Sequence, residues 1–266
     1  QSAVIFAGLR TNGTTTIKAK KSRDHTELFC KFLKLPIKVK KYKHFDIIKI
    51  KKANKIAPIH YKIPSDISSA SFFIVLTCLS ENSSINIKNV NINPSRIGII
   101  IILKKMGAKI YFKNKRKYKG ELIADILVKS SKNLKAINCP PSLNSGAIDE
   151  FLLIFLVAAR SKGISYFKNL SELNEKESPR LNWGAKILNY FGIKTILTKD
   201  SIKIFGNPNI NINKEIEIKN YLKDHRIFMT SVIAGLAFGA KMKIYDKDSI
   251  KTSFPNFLKL IQDINK

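Results

Sequence analysis

Cysteine is scarce in this sequence, and the few cysteines present are far apart. Cys30, Cys78 and Cys139 form no Cys-x-x-Cys pair. An odd number of widely spaced cysteines favours neither a disulfide framework nor a zinc site. We therefore expect no metal site, and a reducing compartment is the expected environment.

Long apolar runs and glycine-rich phosphate loops are also missing. The longest apolar run, Phe151 to Ala159, ends at Arg160, far short of the roughly 18–20 residues that span a bilayer. No P-loop and no Gly-x-Gly-x-x-Gly motif occurs, so the nucleotide-binding classes that those motifs define are not indicated. The sequence starts at Gln1 in a pattern typical of mid-helix residues, and we expect it to begin inside a longer protein.

Acidic residues are few beside the basic ones. The 19 Asp and Glu against 48 Lys and Arg give a formal net charge of +29. A strong positive field attracts polyanions, so a basic nucleic-acid-binding module is one interpretation, although no zinc finger or aromatic-interleaved basic motif supports it. A second is that the field attracts small phosphorylated substrates. A third is that scattered lysines with abundant Ile and Asn reflect an A+T-rich coding sequence.

What the sequence does contain is a repeat of helix, turn and strand. An apolar helix, a Gly or polar turn and a strand follow one another in residues 2–18, 69–87, 150–167 and 226–245. A second helix is predicted after each, beginning near Asp24, Ser95, Ser178 and Phe254, and the first three units end in a further strand. Such βαβαβ-like units predict an α/β protein of similar subdomains.

Charged residues collect where a strand leads into a helix. They lie in Ser22-Arg23-Asp24-His25, at Asp66, at Asp149-Glu150, in Lys176-Glu177-Ser178-Pro179-Arg180 and in Asp224-His225-Arg226. Helix N-termini carry unpaired N–H groups and partial positive charge, so they bind anions. A cation at such an end is mildly unfavourable for the helix itself, so its presence indicates an anion-binding wall.

Simpler interpretations stay open for the same residues. Asp66, Asp149 and Asp224 fit plain N-caps equally well, and Glu177 with Arg180 fits a surface i,i+3 pair. His25 and His225 lack a spacing typical of metal ligands, and a hydrogen-bonded structural role is expected for each.

The motifs together resemble one family, the 5-enolpyruvylshikimate-3-phosphate (EPSP) synthases. The segment at Lys176 resembles their K-E-S-D-R motif, Asp224-His225-Arg226 their D-H-R, and the segment at Asp66 their D-I-S-S-A-x-F. Asn93-Pro94-Ser95-Arg96-Ile97-Gly98 resembles N-P-x-R-x-G, Ile148-Asp149-Glu150 resembles I-D-E, and the segment from Ser22 to Glu27 resembles S-R-D-H-T-E. These pieces occur in family order along the whole chain.

The resemblance implies a two-lobed enolpyruvyl transferase fold of repeated βαβαββ subdomains, incomplete here at the N-terminus. Residues 1–63 are expected to be the remainder of one lobe and residues 64–266 most of the other. The implied reaction transfers the enolpyruvyl group of phosphoenolpyruvate to the 5-hydroxyl of shikimate 3-phosphate and releases phosphate. It passes through a tetrahedral adduct, so it needs groups that hold anions and groups that move protons.

The resemblance also implies roles for individual residues. Asp149 matches the aspartate that deprotonates the 5-hydroxyl, Glu177 the glutamate that moves the methyl proton, and Lys176 the cleft lysine near the reacting atoms. Arg180 and Arg226 match the arginines that, with Lys176, hold phosphoenolpyruvate. The expected shikimate 3-phosphate positions are Ser22, Arg23, Asp149 and Lys176.

Some positions depart from the family pattern. Pro179 replaces the usual Asp of K-E-S-D-R, Asn174 stands where Arg is usual, and Leu152 stands where proline is usual. Near the C-terminus, Thr252 stands where some family members have a lysine, and Lys251 precedes it. An inactive remnant of the same family is therefore an alternative interpretation.

The resemblance sets the remaining expectations for partners and location. We expect no cofactor, no nucleic acid, no membrane, a monomer when full length, and no turnover by residues 1–266 alone. A bacterial cytoplasmic location is expected, and a plastid location stays open.

Overall fold

The computed structural model describes residues 1–264 of the chain. Its α-helices are α1 (Ser2–Gly8), α2 (His25–Phe32), α3 (Ile67–Leu79), α4 (Gly98–Lys105), α5 (Asn144–Ala147), α6 (Phe151–Arg160), α7 (Arg180–Tyr190), α8 (His225–Phe238) and α9 (Phe257–Ile264). Its strands are β1 (Thr14–Lys20), β2 (Ile37–Lys41), β3 (Phe45–Lys51), β4 (Ser84–Asn91), β5 (Lys109–Tyr118), β6 (Glu121–Lys129), β7 (Gly163–Phe167), β8 (Thr195–Leu197), β9 (Ile202–Gly206), β10 (Glu215–Ile218) and β11 (Lys241–Ile244). Short 3-10 helices cover Pro141–Leu143, Ser171–Glu175 and Lys247–Ile250.

The sheets repeat one design. Three antiparallel sheets have the orders β1-β3-β2, β4-β6-β5 and β7-β9-β8, so the last strand of each unit lies in the centre. Parallel bridges join Ser65 to Val90 and Asn138 to Tyr166, and β10 pairs with β11 in parallel. One complete unit therefore consists of a leading segment with a parallel bridge, a helix, a strand, a second helix and two antiparallel strands. The α/β class is confirmed.

The pattern-based prediction of a βαβαβ unit was one strand short. The central strands β3, β6 and β9 complete the βαβαββ unit that the family resemblance implied. Each is the second arm of a hairpin, and its alternating apolar residues did not separate it from the arm before it.

The helices that follow the leading strands form the core. Every residue of α3 except Ser69 is buried, as are residues 151–159 of α6. A helix that is apolar all round belongs inside a protein. Because these helices occupy the same place in successive units, their N-terminal ends lie together, as the contacts of Ser68, Glu150 and Arg226 described below show.

Within residues 1–264, the buried apolar residues form two separate clusters. One comprises residues between Ile5 and Ala53, and the other spans Ile67 to Ile261. The tract 54–64 between them contains no helix or strand. It includes Pro64, where the sequence predicted a lobe boundary. None of the described helices is long and apolar enough to cross a membrane.

Several predicted helix starts were early by two or three residues. Helix α4 begins at Gly98 rather than at Ser95, because the Asn93 side chain accepts from the backbone N–H of Ser95 at 2.8 Å and forms a local turn. At Gly98 a Cβ atom would lie 2.5 Å from the carbonyl carbon of Gly146, so only glycine permits this approach of α4 to α5. Helices α7 and α9 begin at Arg180 and Phe257 instead of at Ser178 and Phe254.

Candidate active site

Asp149 lies at the centre of a cluster of basic side chains. It occupies the turn between α5 and α6, and its side chain is 14% exposed. Arg23 donates to its Oδ2, while Lys176 Nζ and Arg180 Nη1 each lie 3.7 Å from its Oδ1. Arg226 Nη1 donates to its backbone carbonyl at 2.9 Å. These four cations come from three separate segments, so Asp149 connects all of them through its carboxylate and its backbone carbonyl.

The pKa of Asp149 reflects a competition between burial and charge. Burial raises the pKa of this carboxyl, but Arg226, Arg23 and Lys176 together outweigh burial and lower it to about 2. A carboxylate surrounded by cations favours its charged form. Asp149 is therefore ionised at neutral pH and held by the surrounding cations.

Glu150, the next residue, is in the opposite environment. It is 2% exposed, accepts from Ser68 Oγ at 2.5 Å and lies 3.8 Å from Arg226 Nη1. Burial raises its pKa, although Arg226 and the Ser68 hydroxyl act against that shift. Ser68 in turn accepts from Arg96 Nη2 at 2.6 Å. A buried polar chain thus connects Arg96 to Arg226 behind Asp149.

Arg180 is almost completely enclosed, at 2% exposure. Its Nε donates to Asp224 Oδ2 at 2.8 Å and its Nη2 to Oδ1 at 3.2 Å, while Nη2 also contacts Glu177. Ser178 Oγ donates to Asp224 Oδ2 at 2.7 Å. Burial raises the pKa of Asp224, and the bonds from Arg180 and Ser178 outweigh that effect and lower it. The interpretation of Glu177 and Arg180 as a surface pair is therefore wrong for Arg180.

The remaining residues of the motif at Lys176 face solvent more. Lys176 is 24% exposed and contacts Glu172 at 3.0 Å as well as Asp149. Glu177 is 55% exposed and contacts Arg180 alone among the described cations. Carboxylates therefore contact both positive groups of this motif, Lys176 and Arg180.

Ser22 is the one predicted site residue that stands outside the cluster. Its neighbour Arg23 reaches Asp149, but no side-chain hydrogen bond of Ser22 is present within residues 1–264. Ser22 lines a separate cleft of about 600 Å³ together with Lys41, Asn93 and Ser145. Ser145 and Gly146 on the wall of this cleft precede Asp149 by four and three residues in the chain.

The proposed N-caps separate into two kinds. Asp66 accepts from the backbone N–H of Ser69, and Asp224 accepts from that of Arg226, each at 2.9 Å, so both cap their helices. Asp149 is not a cap, since Glu150 occupies the N-cap position of α6 and makes no capping bond there. Of the histidines, His25 Nδ1 lies 2.6 Å from Glu121 Oε1, which fits the expected structural role.

Sequence reasoning assigned no binding or catalytic role to Ser68, Arg96, Glu150 and Ser178, which complete the cluster. All four belong to the motifs quoted above, and that membership was the available signal. No group of three or more His, Cys, Asp or Glu side chains able to hold a metal ion occurs in the described part of the chain.

Comparisons with known proteins identify the family of this arrangement. The family model described as EPSP synthase (3-phosphoshikimate 1-carboxyvinyltransferase) matches residues 1–261. The chain belongs to the EPSP synthase family. A family member from Ruthia magnifica subsp. Calyptogena magnifica, named 3-phosphoshikimate 1-carboxyvinyltransferase, is 40% identical over 99% of this chain and 59% of its own length. One of the same name from Vesicomyosocius okutanii subsp. Calyptogena okutanii is 39% identical with the same coverage.

Solved structures agree with this family. The EPSP synthase structure from Acinetobacter baumannii superposes with a TM-score of 0.86 at 35% identity, over 98% of this chain and 58% of that one. The enolpyruvyl transferase NikO from Streptomyces tendae, at 14% identity and a TM-score of 0.68, shares the fold. The chain thus spans about three fifths of the length of the relatives that it matches.

Proposed function

We propose that this chain carries the phosphoenolpyruvate site and the proton-transfer groups of an EPSP synthase. With the remaining length that its relatives have, it transfers the enolpyruvyl group of phosphoenolpyruvate to the 5-hydroxyl of shikimate 3-phosphate. The observation that carries the proposal is the convergence of Lys176, Arg180 and Arg226 on Asp149. Residues 1–63 and 64–266 are proposed to belong to different lobes, with the cluster between them.

Anion binding follows from the geometry of the basic groups. Arg226 uses Nη1 for the Asp149 carbonyl, which leaves the rest of its planar guanidinium for a carboxylate or phosphate. Asp224 and Ser178 fix Arg180 from behind. Phosphoenolpyruvate, with a carboxylate and a phosphate, would replace Glu172 and Glu177 on Lys176 and Arg180. Shikimate 3-phosphate would take Arg23 from Asp149, with Ser22 at the margin of its site.

Proton transfer depends on that replacement. A carboxylate whose pKa is about 2 is a weak base. When bound anions neutralise Arg23, Lys176 and Arg226, the pKa of Asp149 rises and its carboxylate can accept the proton of the 5-hydroxyl. Glu177, released from Arg180, is then positioned to exchange a proton with the substrate methylene carbon.

The chemical balance is simple. The 5-hydroxyl oxygen bonds to C2 of phosphoenolpyruvate and its proton goes to Asp149, while the methylene carbon C3 takes a proton from the Glu177 carboxyl to become a methyl group. In the second step the methyl group returns a proton to Glu177, the C2–O bond to phosphate breaks, and the departing phosphate takes the proton from Asp149. Enolpyruvyl ether and inorganic phosphate result.

Titration of the chain with phosphoenolpyruvate by calorimetry tests the proposal. Lys176→Ala is expected to weaken binding by about tenfold, because an ionic contact of this kind contributes on the order of 1.4 kcal/mol or more. Lys186→Ala is the matched control: it removes the same charge from the exposed face of α7, outside the cluster. An equal loss in both variants, or no binding by the unsubstituted chain, would contradict the proposal.

A turnover assay separates the alternatives. Residues 1–266 alone are expected to release no phosphate from the two substrates, and measurable release would contradict that expectation. A binding-competent chain that gives no turnover even at the full length of its relatives would indicate an inactive remnant. Retention on heparin at moderate salt, with salt-dependent DNA affinity, would instead favour a nucleic-acid-binding module.

A further inference from the structure

Helix α7, which begins with Arg180, has an unusual N-terminus. Its N-cap residue is Pro179, whose side chain offers no hydrogen-bond acceptor and makes no capping bond. The N–H groups of a helix's first turn need a partner outside the helix. Asn174, seven residues before Leu181, supplies it: its Oδ1 accepts from the backbone N–H of Leu181 at 3.1 Å and from that of Asn182 at 3.4 Å.

We propose that Asn174 is a positioning residue for the anion-binding cluster. Its side chain ties the 3-10 helix Ser171–Glu175 to the first turn of α7, and the tie encloses residues 175–180 as a loop of fixed shape. That loop carries Lys176, Glu177 and Arg180. The assignment of an anion to the loop rests on the proposed function, but the tie itself does not.

The loop is held at further points on either side of the tie. Leu173 is buried at 1% exposure, and Ser178 Oγ donates to the buried Asp224. Lys176 and Glu177 lie between these anchors and are themselves partly exposed. Side chains on a tethered loop lose fewer conformations when they bind a ligand, so the tether raises affinity by pre-organisation.

A purely structural cap is the competing explanation. In that case Asn174 stabilises α7 as any N-cap would, and an acceptor placed at the ordinary N-cap position would do equally well. Pro179→Asp provides that acceptor without tying the 3-10 helix to α7. The double variant Asn174→Ala/Pro179→Asp therefore separates capping from positioning.

The experiment uses the whole chain of 266 residues. Asn174→Ala should raise amide hydrogen exchange at Leu181 and Asn182 by at least about tenfold, shift and average the backbone NMR signals of Lys176 and Glu177, and weaken phosphoenolpyruvate binding by about tenfold. Asn182→Ala removes the same side chain from the surface of α7 and keeps the backbone N–H, so it should change none of these readings.

The double variant decides between the explanations. Positioning predicts that it recovers slow exchange at Leu181 and Asn182 while the signals of Lys176 and Glu177 stay averaged and binding stays weak. Recovery of both, or unchanged Lys176 and Glu177 signals in Asn174→Ala, would overturn the proposal and leave Asn174 as a cap alone. If the unsubstituted chain does not bind phosphoenolpyruvate, the proposed function fails, and the NMR signals still decide the role of Asn174.

Discussion

Helices α3 and α8 begin in the same way, with an aspartate whose side chain accepts from a backbone N–H at 2.9 Å. Their surroundings differ completely. The Asp66 side chain is 54% exposed and has Arg96 at 3.3 Å, whereas the Asp224 side chain is fully enclosed and bonded to Arg180 and Ser178. One aspartate therefore serves its helix, and the other also anchors the arginine at the centre of the site.

The difference shows how one repeated unit acquires a site. In both places an arginine at the start of a unit's second helix reaches an aspartate at the start of a first helix. Arg96 and Asp66 belong to the same unit, but Arg180 reaches Asp224 in the next one. The contact between units is buried. It therefore fixes the position of α7 relative to α8 and pairs the charge of Arg180 with that of Asp224.

Asp224→Ala should lower the free energy of unfolding more than any other substitution at these sites. It removes the cap of α8 and leaves Arg180 buried without its main partner, and breaking a buried pair from one side costs about 3–5 kcal/mol. The free energy of unfolding in urea, measured at neutral pH, checks the prediction. A loss no larger than about 1 kcal/mol, the ordinary cost of a missing cap, would show that Arg180 does not depend on Asp224.

The second prediction concerns acid. The pKa of Asp149 is lowered to about 2 from 3.8, so its contribution to stability is present above about pH 4 and disappears as the pH falls towards 2. A shift of this size corresponds to about 2 kcal/mol. The neighbouring Glu150 has a raised pKa, so its contribution has the opposite sign: it is fully present below the unfolded pKa and is lost as the pH rises through the folded pKa.

Unfolding free energies at pH 5, 4, 3 and 2 test the opposite behaviour of these neighbours. Asp149→Asn should flatten the fall in stability below pH 4, whereas Glu150→Gln should leave that fall in place. Identical pH profiles for the two variants would mean that the cations around Asp149 do not hold it as the structure indicates.

Much of the fold was accessible from the sequence, because its signals are local. The helices α3, α6 and α8 are marked in the sequence by long, mostly apolar stretches and by the polar residues before them. The central strands were recovered only through the family resemblance. Their place in the sheet depends on pairing with two other strands, which no short stretch of sequence encodes.

The site was accessible to a smaller extent. The motifs placed Asp149, Lys176, Arg180 and Arg226 near one another, and the structure brings them together. The sequence could not tell that Glu150 is buried while Asp149 faces the cations, because that depends on the packing of α6 against its neighbours. The use of Asn174 as a distant cap likewise depends on how the loop folds back.

Asp66→Ala should lower the free energy of unfolding moderately, by less than Asp224→Ala does. The substitution removes the bond to Ser69 and an exposed contact with Arg96, and an N-cap of this kind contributes about 1 kcal/mol. Urea unfolding measured beside Asp224→Ala gives the difference directly. Equal losses in the two variants would mean that burial of Asp224 adds nothing to its role as a cap.

Glu177→Gln should have the smallest effect on stability. It compares the two carboxylate partners of Arg180, one enclosed and one exposed. Arg180 is held by the enclosed Asp224 and by Glu177, which is 55% exposed. Exposed ion pairs contribute little, so the free energy of unfolding should change by less than about 0.5 kcal/mol. Phosphoenolpyruvate should bind a few-fold more tightly, because glutamine competes less well for Arg180.

Glu175→Gln is the control. It removes the same charge from an exposed position that makes no ion pair within the described chain. If both variants tighten binding equally, the gain comes from the overall field of the protein, and Glu177 does not occupy the place of the substrate anion.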